Sequence, residues 1–267
     1  MIDIDRIARE TLAALDERRQ IPSWTARDPG FDLAAAYCVA AAIKHLRYAR
    51  GERPVGRKIG FTNRTIWAEY GVYAPIWGYM YETTVQDLAA VKDAFPLDRL
   101  LEPRIEPEIV FGLRTAPRSG LDAAGLIGCI DWVAHGFEIV QSLFAGWRFS
   151  APDTVAAFGL HGALLIGPRH AATESDWART LDRFTIALQR DGVIADRGAA
   201  SNVLDGPLAA LAHLVDLLAR DSDNPPLAAG EIITTGTLTR ALPIATGQTW
   251  STALEGVALE PIAVRFR

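Results

Sequence analysis

Arg104-Ile105-Glu106-Pro107-Glu108-Ile109-Val110-Phe111 sets two carboxylates into a run that is otherwise apolar and β-branched. Such a run predicts a strand, here over about residues 104–113. Residues i and i+2 of a strand leave the same face, so Glu106 and Glu108 stand side by side on a surface suited to burial. Like charges that close repel, and buried charge is costly unless it is paired or coordinated. A divalent cation held by oxygen ligands resolves both difficulties. Spacing alone leaves a second reading open, in which the acids lie on a solvated sheet face, because Glu-x-Glu recurs by chance.

Working outward, a third acid, Glu138, sits in Trp132-Val133-Ala134-His135-Gly136-Phe137-Glu138-Ile139-Val140, again among apolar neighbours. Three carboxylates, together with waters and a chelating substrate, make an octahedral site for Mg2+ or Mn2+. Lys58 lies inside a predicted strand over residues 55–61, beside Gly60. It can bind a carboxylate or move protons, or it is an ordinary edge-strand lysine. Thr234-Thr235-Gly236-Thr237 offers hydroxyls and backbone N–H groups to a substrate carboxylate, or is a plain β-turn. His161, in Gly159-Leu160-His161-Gly162, is either an acid–base group near neutral pH or a structural histidine. The chain has no nucleophile elbow, phosphate-binding loop, dinucleotide fingerprint or Cys/His zinc spacing.

The 267 residues suffice for one large domain, or for a core with a smaller lobe. Apolar residues are 49% and charged residues 22%, the ordinary balance of a globular protein. A net charge of −5 without a basic block argues against nucleic acid. The charged first twenty residues are no signal peptide, and no apolar run reaches a membrane span, so a cytoplasmic location is expected. Cys38 and Cys129 read as small core residues in helical stretches rather than a disulfide or metal pair.

Apolar positions recur at helical spacing over residues 4–15, and a second helix runs from an Asp32 N-cap to Gly51. A short helix is expected near residues 65–70, a loop over 73–78, a helix over 121–132 and strands over 133–140, 162–166 and 184–189. Asp191-Gly192 is a hairpin signal, and Pro207 opens a helix to about residue 218. The end of the chain, from Glu231, is β-rich. Helices come early, strands dominate later and regular βαβ alternation is missing, so the class is α+β with a largely antiparallel core.

The order of Lys58-Ile59-Gly60, Arg104 to Ile109, Glu138 followed by Ser142, Asp153-Thr154-Val155-Ala156 and Gly230-Glu231-Ile232-Ile233-Thr234-Thr235-Gly236 resembles the 2-keto-4-pentenoate hydratase and 4-oxalocrotonate decarboxylase family, within the fumarylacetoacetate hydrolase superfamily. The likeness covers about residues 35–267. It implies a mixed, curved β-sheet core with helices around it. A helical N-terminal portion would span residues 1–54 and a catalytic domain residues 55–267. It also implies a homo-oligomer and a Mg2+ or Mn2+ held by Glu106, Glu108 and Glu138. The substrate would be a short 2-oxo or 2-hydroxydienoic acid from aromatic-ring catabolism, chelating the metal, which then stabilises a developing enolate. Lys58 matches the family's active-site lysine, as proton shuttle or carboxylate partner, with a pKa lowered by the nearby dication. Thr235, Gly236 and Thr237 would take the substrate end.

Three departures bear on the reaction. Hydratases of the family carry an acid where this chain has Ile76, whereas decarboxylases have an apolar residue there. A polar Asn-Ala-Ser stretch is replaced by Phe158-Gly159-Leu160. The arginine that usually follows the serine at Ser142 is replaced by Leu143. The expected pocket is therefore more apolar than usual, walled by Trp77, Phe158 and Leu160, with His161 replacing part of the missing polar function. A metal-dependent lyase, hydratase or decarboxylase, is the leading expectation. An acylpyruvate-type C–C hydrolase is weakened because residues 61–69 offer Glu69 but no histidine. A catalytically inactive scaffold is opposed by the retention of Lys58 and all three glutamates.

Overall fold

The structure, a computed structural model, describes residues 2–267, apart from the side chain of Glu69. Twelve strands carry it: β1 (Pro54–Gly60), β2 (Ile76–Tyr81), β3 (Val85–Asp87), β4 (Arg104–Leu113), β5 (Ile130–Val140), β6 (His161–Ala171), β7 (Thr185–Arg190), β8 (Val193–Ala199), β9 (Ile232–Thr234), β10 (Leu242–Pro243), β11 (Thr249–Glu255) and β12 (Ala263–Arg265). They form an eight-stranded curled sheet in the order β2-β1-β9-β4-β5-β6-β3, with β10 also on β4, and a four-stranded sheet in the order β12-β11-β7-β8. Pairing is antiparallel except for β1 with β9 and β3 with β6, so the larger sheet is mixed and mainly antiparallel, as expected.

The helices Ile4–Asp16 and Leu33–Ala49 start where Asp3 and Asp32 accept hydrogen bonds from the N–H groups of Arg6 and Ala35. Their apolar faces share one core with Ile76, Leu143, Phe144, Val155, Ala156 and Phe158. The helix Pro207–Leu218 begins at proline as expected, and it packs with Phe111, Ile59 and Trp77 under the other side of the sheet. Asp191-Gly192 closes the two-residue turn between Arg190 and Val193, both at positive φ.

Several local expectations change. Residues 76–81 form β2 instead of a loop. Pro75 and Gly78 punctuate the stretch, but all six strand residues are buried, so no alternation announces the strand and pairing with β1 creates it. The helix expected over 121–132 stops at Cys129, after an Asp122 cap, and Ile130 already belongs to β5. Cys38 is exposed on the outer face of its helix and Cys129 is only partly buried; neither is a core residue. Both thiols are free.

Candidate active site

β4 and β5 pair antiparallel with Glu106 directly opposite Glu138. Glu108, two residues along β4, leaves the same face. The three carboxylates each bring an oxygen within 4.8 Å of the others, and all three side chains are buried. Like charges directly opposite each other destabilise a strand pair, so this face stores electrostatic strain in the metal-free protein. Gly236 N–H donates to Glu108 Oε2 at 2.7 Å. Gly236 has φ +96°, and a Cβ there would fall 1.7 Å from Thr62 Oγ1, so only glycine brings this N–H to the carboxylate.

Lys58 lies on neighbouring β1, its Nζ 3.2 Å from Glu138 Oε2. This ion pair is the contact that Glu138 Oε2 makes, and among the described residues no donor reaches the buried Glu108 Oε1. Three buried carboxylates clustered this closely, one with an oxygen that lacks a donor, are a donor set that fits a hard divalent cation. The titration behaviour agrees. Burial pushes Glu106 up to about 7, with Lys58 opposing and Glu138 adding to it. Burial, then Glu138 and Glu106, push Glu108 well above the carboxylate range. Burial would raise Glu138 too, but Lys58 and a hydrogen bond from His161 hold it down to about 2. Burial works against the Lys58 ammonium, yet Glu138, Glu106 and Glu108 outweigh it and raise its pKa. A lowered lysine pKa is therefore not a property of the metal-free site; it requires that a cation first neutralise those carboxylates.

Above Lys58 and Glu106 lies a small cavity of about 30 Å³, bounded also by Gly60, Phe61, Ile66, Tyr70, Val140, Trp147, Phe149, Gly159, Leu160, Gly236, Thr237 and Ala241. Its outer wall is aromatic: Tyr70 stacks on Phe149 at 5.7 Å and meets Phe61 edge-on at 5.8 Å. Arg104 Nη1 donates to the Tyr70 hydroxyl at 2.6 Å, and the guanidinium lies 4.1 Å from the Trp147 ring centre. Among the described residues lining the cavity, Lys58 is the one cationic side chain.

Of the residues singled out in the sequence, Lys58, Glu106, Gly236, Thr237 and Leu160 line this cavity, with Glu108 and Glu138 in the same carboxylate cluster. Thr235 does not line it; its hydroxyl donates to the Ile109 carbonyl. Trp77 pairs with Ile59 on the opposite face of the sheet and stacks on Tyr37, so it is no wall of the cavity. Ile76, across from Gly60, and Phe158 belong to the helical core instead. His161 does not reach the cavity; its Nδ1 lies 2.7 Å from Glu138 Oε1 and its Nε2 2.9 Å from Thr84 Oγ1. The Phe158-Gly159-Leu160 stretch is a turn with all three residues at positive φ, stacked over Gly78 and Lys58. Two of these residues are not glycine, the kind of strain that gathers at functional sites.

Sequence reading missed the aromatic wall, because Phe61 follows β1, Tyr70 ends the helix Trp67–Tyr70, and Trp147 and Phe149 lie in a later loop, with no shared period. It also missed His135, whose Nδ1 faces the Glu108 carbonyl oxygen at 3.1 Å and whose Nε2 faces Thr252 Oγ1 of the second sheet at 3.0 Å. Burial pushes His135 down to about 4.

The fold is shared with known proteins. The chain is 32% identical over 248 residues to a 2-hydroxyhexa-2,4-dienoate hydratase of Comamonas testosteroni, covering 91% of this chain and 90% of that protein. It is 30% identical to a 2-keto-4-pentenoate hydratase of Paraburkholderia phymatum, covering 95% and 94%, and 29% identical to a 4-oxalocrotonate decarboxylase of Pseudomonas putida, covering 97% of each. No family model matches the chain. Among solved structures, 4-oxalocrotonate decarboxylase from Pseudomonas putida, complexed with magnesium and adipate, superposes with a TM-score of 0.88 at 26% identity over 99% of this chain and 97% of that one. A fumarylpyruvate hydrolase from Pseudomonas aeruginosa, with Mn2+ and pyruvate, gives 0.57 at 15% identity over 80% and 89%, a likeness of fold alone. The architecture is that of the fumarylacetoacetate hydrolase superfamily. Within it, the chain belongs to the 2-keto-4-pentenoate hydratase and 4-oxalocrotonate decarboxylase family, whose members are lyases.

Proposed function

We propose that this protein is a Mg2+- or Mn2+-dependent hydratase of 2-hydroxydienoic acids that carry one carboxylate and an apolar far end. The observation that carries this is the pairing of a buried Glu106–Glu108–Glu138 cluster with a cavity whose far wall is aromatic and whose one cationic lining side chain is Lys58. Glu106, Glu108 and Glu138 would hold the cation, which when bound supplies Lewis-acid stabilisation of negative charge on a chelated 2-oxo acid. Lys58, freed from carboxylate support, loses its proton more readily and serves as the group that gives or takes a proton at substrate carbon. Thr237 and the Gly236 turn border the end of the cavity nearest the carboxylates, where the substrate carboxylate would lie. Phe61, Tyr70, Trp147 and Phe149 close the cavity to about 30 Å³ and exclude bulk water, and they would move apart to receive the hydrocarbon end.

A second reading, 4-oxalocrotonate-type decarboxylation, is favoured by Ile76, an apolar side chain on the Lys58 side of the β1–β2 pair. Its diacid substrate would set a second carboxylate against the aromatic wall, where Arg104 is engaged by the Tyr70 hydroxyl and the Trp147 ring and does not line the cavity, and that favours the hydratase. The hydrolase reading gains nothing, since the side chain of Glu69 lies outside the described residues. The same proposal takes the enzyme to be a cytoplasmic homo-oligomer. No helix among the described residues is long and apolar enough to cross a membrane, and the edge strand β8 exposes Val193 and Ile194. Assay of a panel of alkyl-ended 2-hydroxydienoates and 2-oxo diacids, following hydrated product and CO2 separately, tests the activity. Hydration of the monoacids with little CO2 is expected; CO2 release from the diacids alone would replace this reading with the second.

A further inference from the structure

We infer that His161 and Thr84 are positioning residues that lock the Glu138 carboxylate in its metal-holding orientation. This rests on the reading of the three carboxylates as a cation site. The imidazole is held at both ends: Nδ1 lies 2.7 Å from Glu138 Oε1, and Nε2 lies 2.9 Å from Thr84 Oγ1. A carboxylate only accepts, so Nδ1 is the donor in that contact. Thr84 is in turn anchored, 3.0 Å from the Tyr81 carbonyl in the turn between β2 and β3. The contact occupies Oε1 and leaves Oε2, 3.2 Å from Lys58 Nζ, on the side of the cluster. A ligand carboxylate fixed through its other oxygen cannot swing away when the cation arrives.

The backbone is built for this contact. Regular pairing of β5 with β6 runs Glu138 with Leu164 and Ile139 with Ala163, and the next pair would be Val140 with Gly162. The register shifts there, and Val140 pairs with His161 instead. Gly162 is the extra residue of a β-bulge, and a Cβ on it would fall 2.7 Å from the Ile139 carbonyl oxygen. Val140 shares a face with Glu138, so the bulge turns the His161 side chain onto the face of the acids, where an unbulged strand would direct it away. Thr84 and Gly162 also line a separate cleft of about 700 Å³, so a shape-filling replacement is the cleaner test than alanine.

The experiment is Mn2+ titration in the presence of oxalate, read by calorimetry and by the Mn2+ electron paramagnetic resonance spectrum, on wild type, His161→Leu, His161→Asn and Thr84→Val. His161→Leu fills the space without a donor and should weaken Mn2+ by about 10–100-fold. His161→Asn keeps a nitrogen near the Nδ1 position and should recover most of that loss, even though leucine suits the buried site better and melts at the higher temperature. Thr84→Val should weaken Mn2+ less than His161→Leu and broaden the Mn2+ spectrum. Wild-type affinity in folded His161→Leu overturns the inference, as does a loss of affinity that follows melting temperature instead of the donor. If His161→Leu does not fold, unchanged affinity and spectrum in Thr84→Val overturn it. Failure of the wild type itself to bind Mn2+ overturns the cation site and this inference together.

Discussion

Glu108 concentrates the chemistry of the site. Its carboxylate takes one hydrogen bond from Gly236 N–H and leaves Oε1 buried without a hydrogen-bond partner among the described residues. Because its folded pKa lies above the unfolded value, the stability it contributes is present at low pH and is lost as pH rises through the folded pKa. Glu108→Gln keeps an acceptor for Gly236 and cannot ionise. In EDTA it should raise the melting temperature over wild type by an amount that grows with pH, roughly 2–4 °C for each kcal/mol relieved, while abolishing Mn2+ binding. A melting temperature below wild type at pH 8 would show that the carboxylate is not under strain. At Lys58, replacement by methionine keeps the buried stem and removes the proton carrier. We expect kcat to fall by about 10²–10⁴-fold with Mn2+ affinity retained or improved, as stopped-flow assay and calorimetry would show.

At the scale of elements, two backbone irregularities aim the functional groups. The turn after β9 passes through Gly236 at positive φ with Thr62 packed against its Cα, so Gly236→Ala meets both strain and collision. Denaturant unfolding should show a loss of about 2 kcal/mol or more, together with weaker cation binding because the N–H leaves Glu108. The second irregularity is the bulge at Gly162. Gly162→Ala should push β6 from β5 and cost Mn2+ affinity even though the residue touches none of the acids; unchanged affinity would mean that the bulge is incidental. Both positions lie in short glycine-containing stretches that the sequence marks only as turns or strand ends.

At the scale of the whole molecule, opposing titrations set the pH dependence of stability. Glu106, raised to about 7 by burial, destabilises the metal-free fold as pH rises from the ordinary carboxylate range to 7, by about 3 kcal/mol. His135, pushed down to about 4 by burial between the two sheets, acts with the opposite sign. The unfolded chain takes up its proton near pH 6.5 and the folded chain does not, so stability falls by about 3 kcal/mol as pH drops from 6.5 to 4. In EDTA the Glu106 and His135 slopes offset each other between pH 4.5 and 6.5, Glu108 leaves a net fall over that range, and above pH 6.5 the carboxylates alone remain, so stability falls further. Saturating Mg2+ should remove the carboxylate contribution and leave a rise from pH 4 to 6.5 followed by a plateau. Calorimetric scans from pH 4 to 8, with and without Mg2+, check this. Coincident profiles would mean that no cation engages the cluster.

The sequence by itself determined that two glutamates share a strand face, that Lys58 sits in a strand, that the helices begin at Asp32 and Pro207, and that a hairpin turns at Asp191-Gly192. Each follows from local periodicity or local cap and turn chemistry, which act within a few residues. What only the tertiary structure decided is which strand lies next to which. Period-two alternation assigns faces within a strand but not its neighbour, so the sequence could group Glu138 with Glu106 and Glu108 as one cation site but could not set it directly opposite Glu106. β2, buried on both faces, has no alternation to read. Trp77 and Phe158 could be placed as large and apolar but not as facing the core, away from the cavity. The register shift at Gly162 decides where His161 points, because one inserted residue reverses a side chain's face and leaves almost no mark in the local pattern.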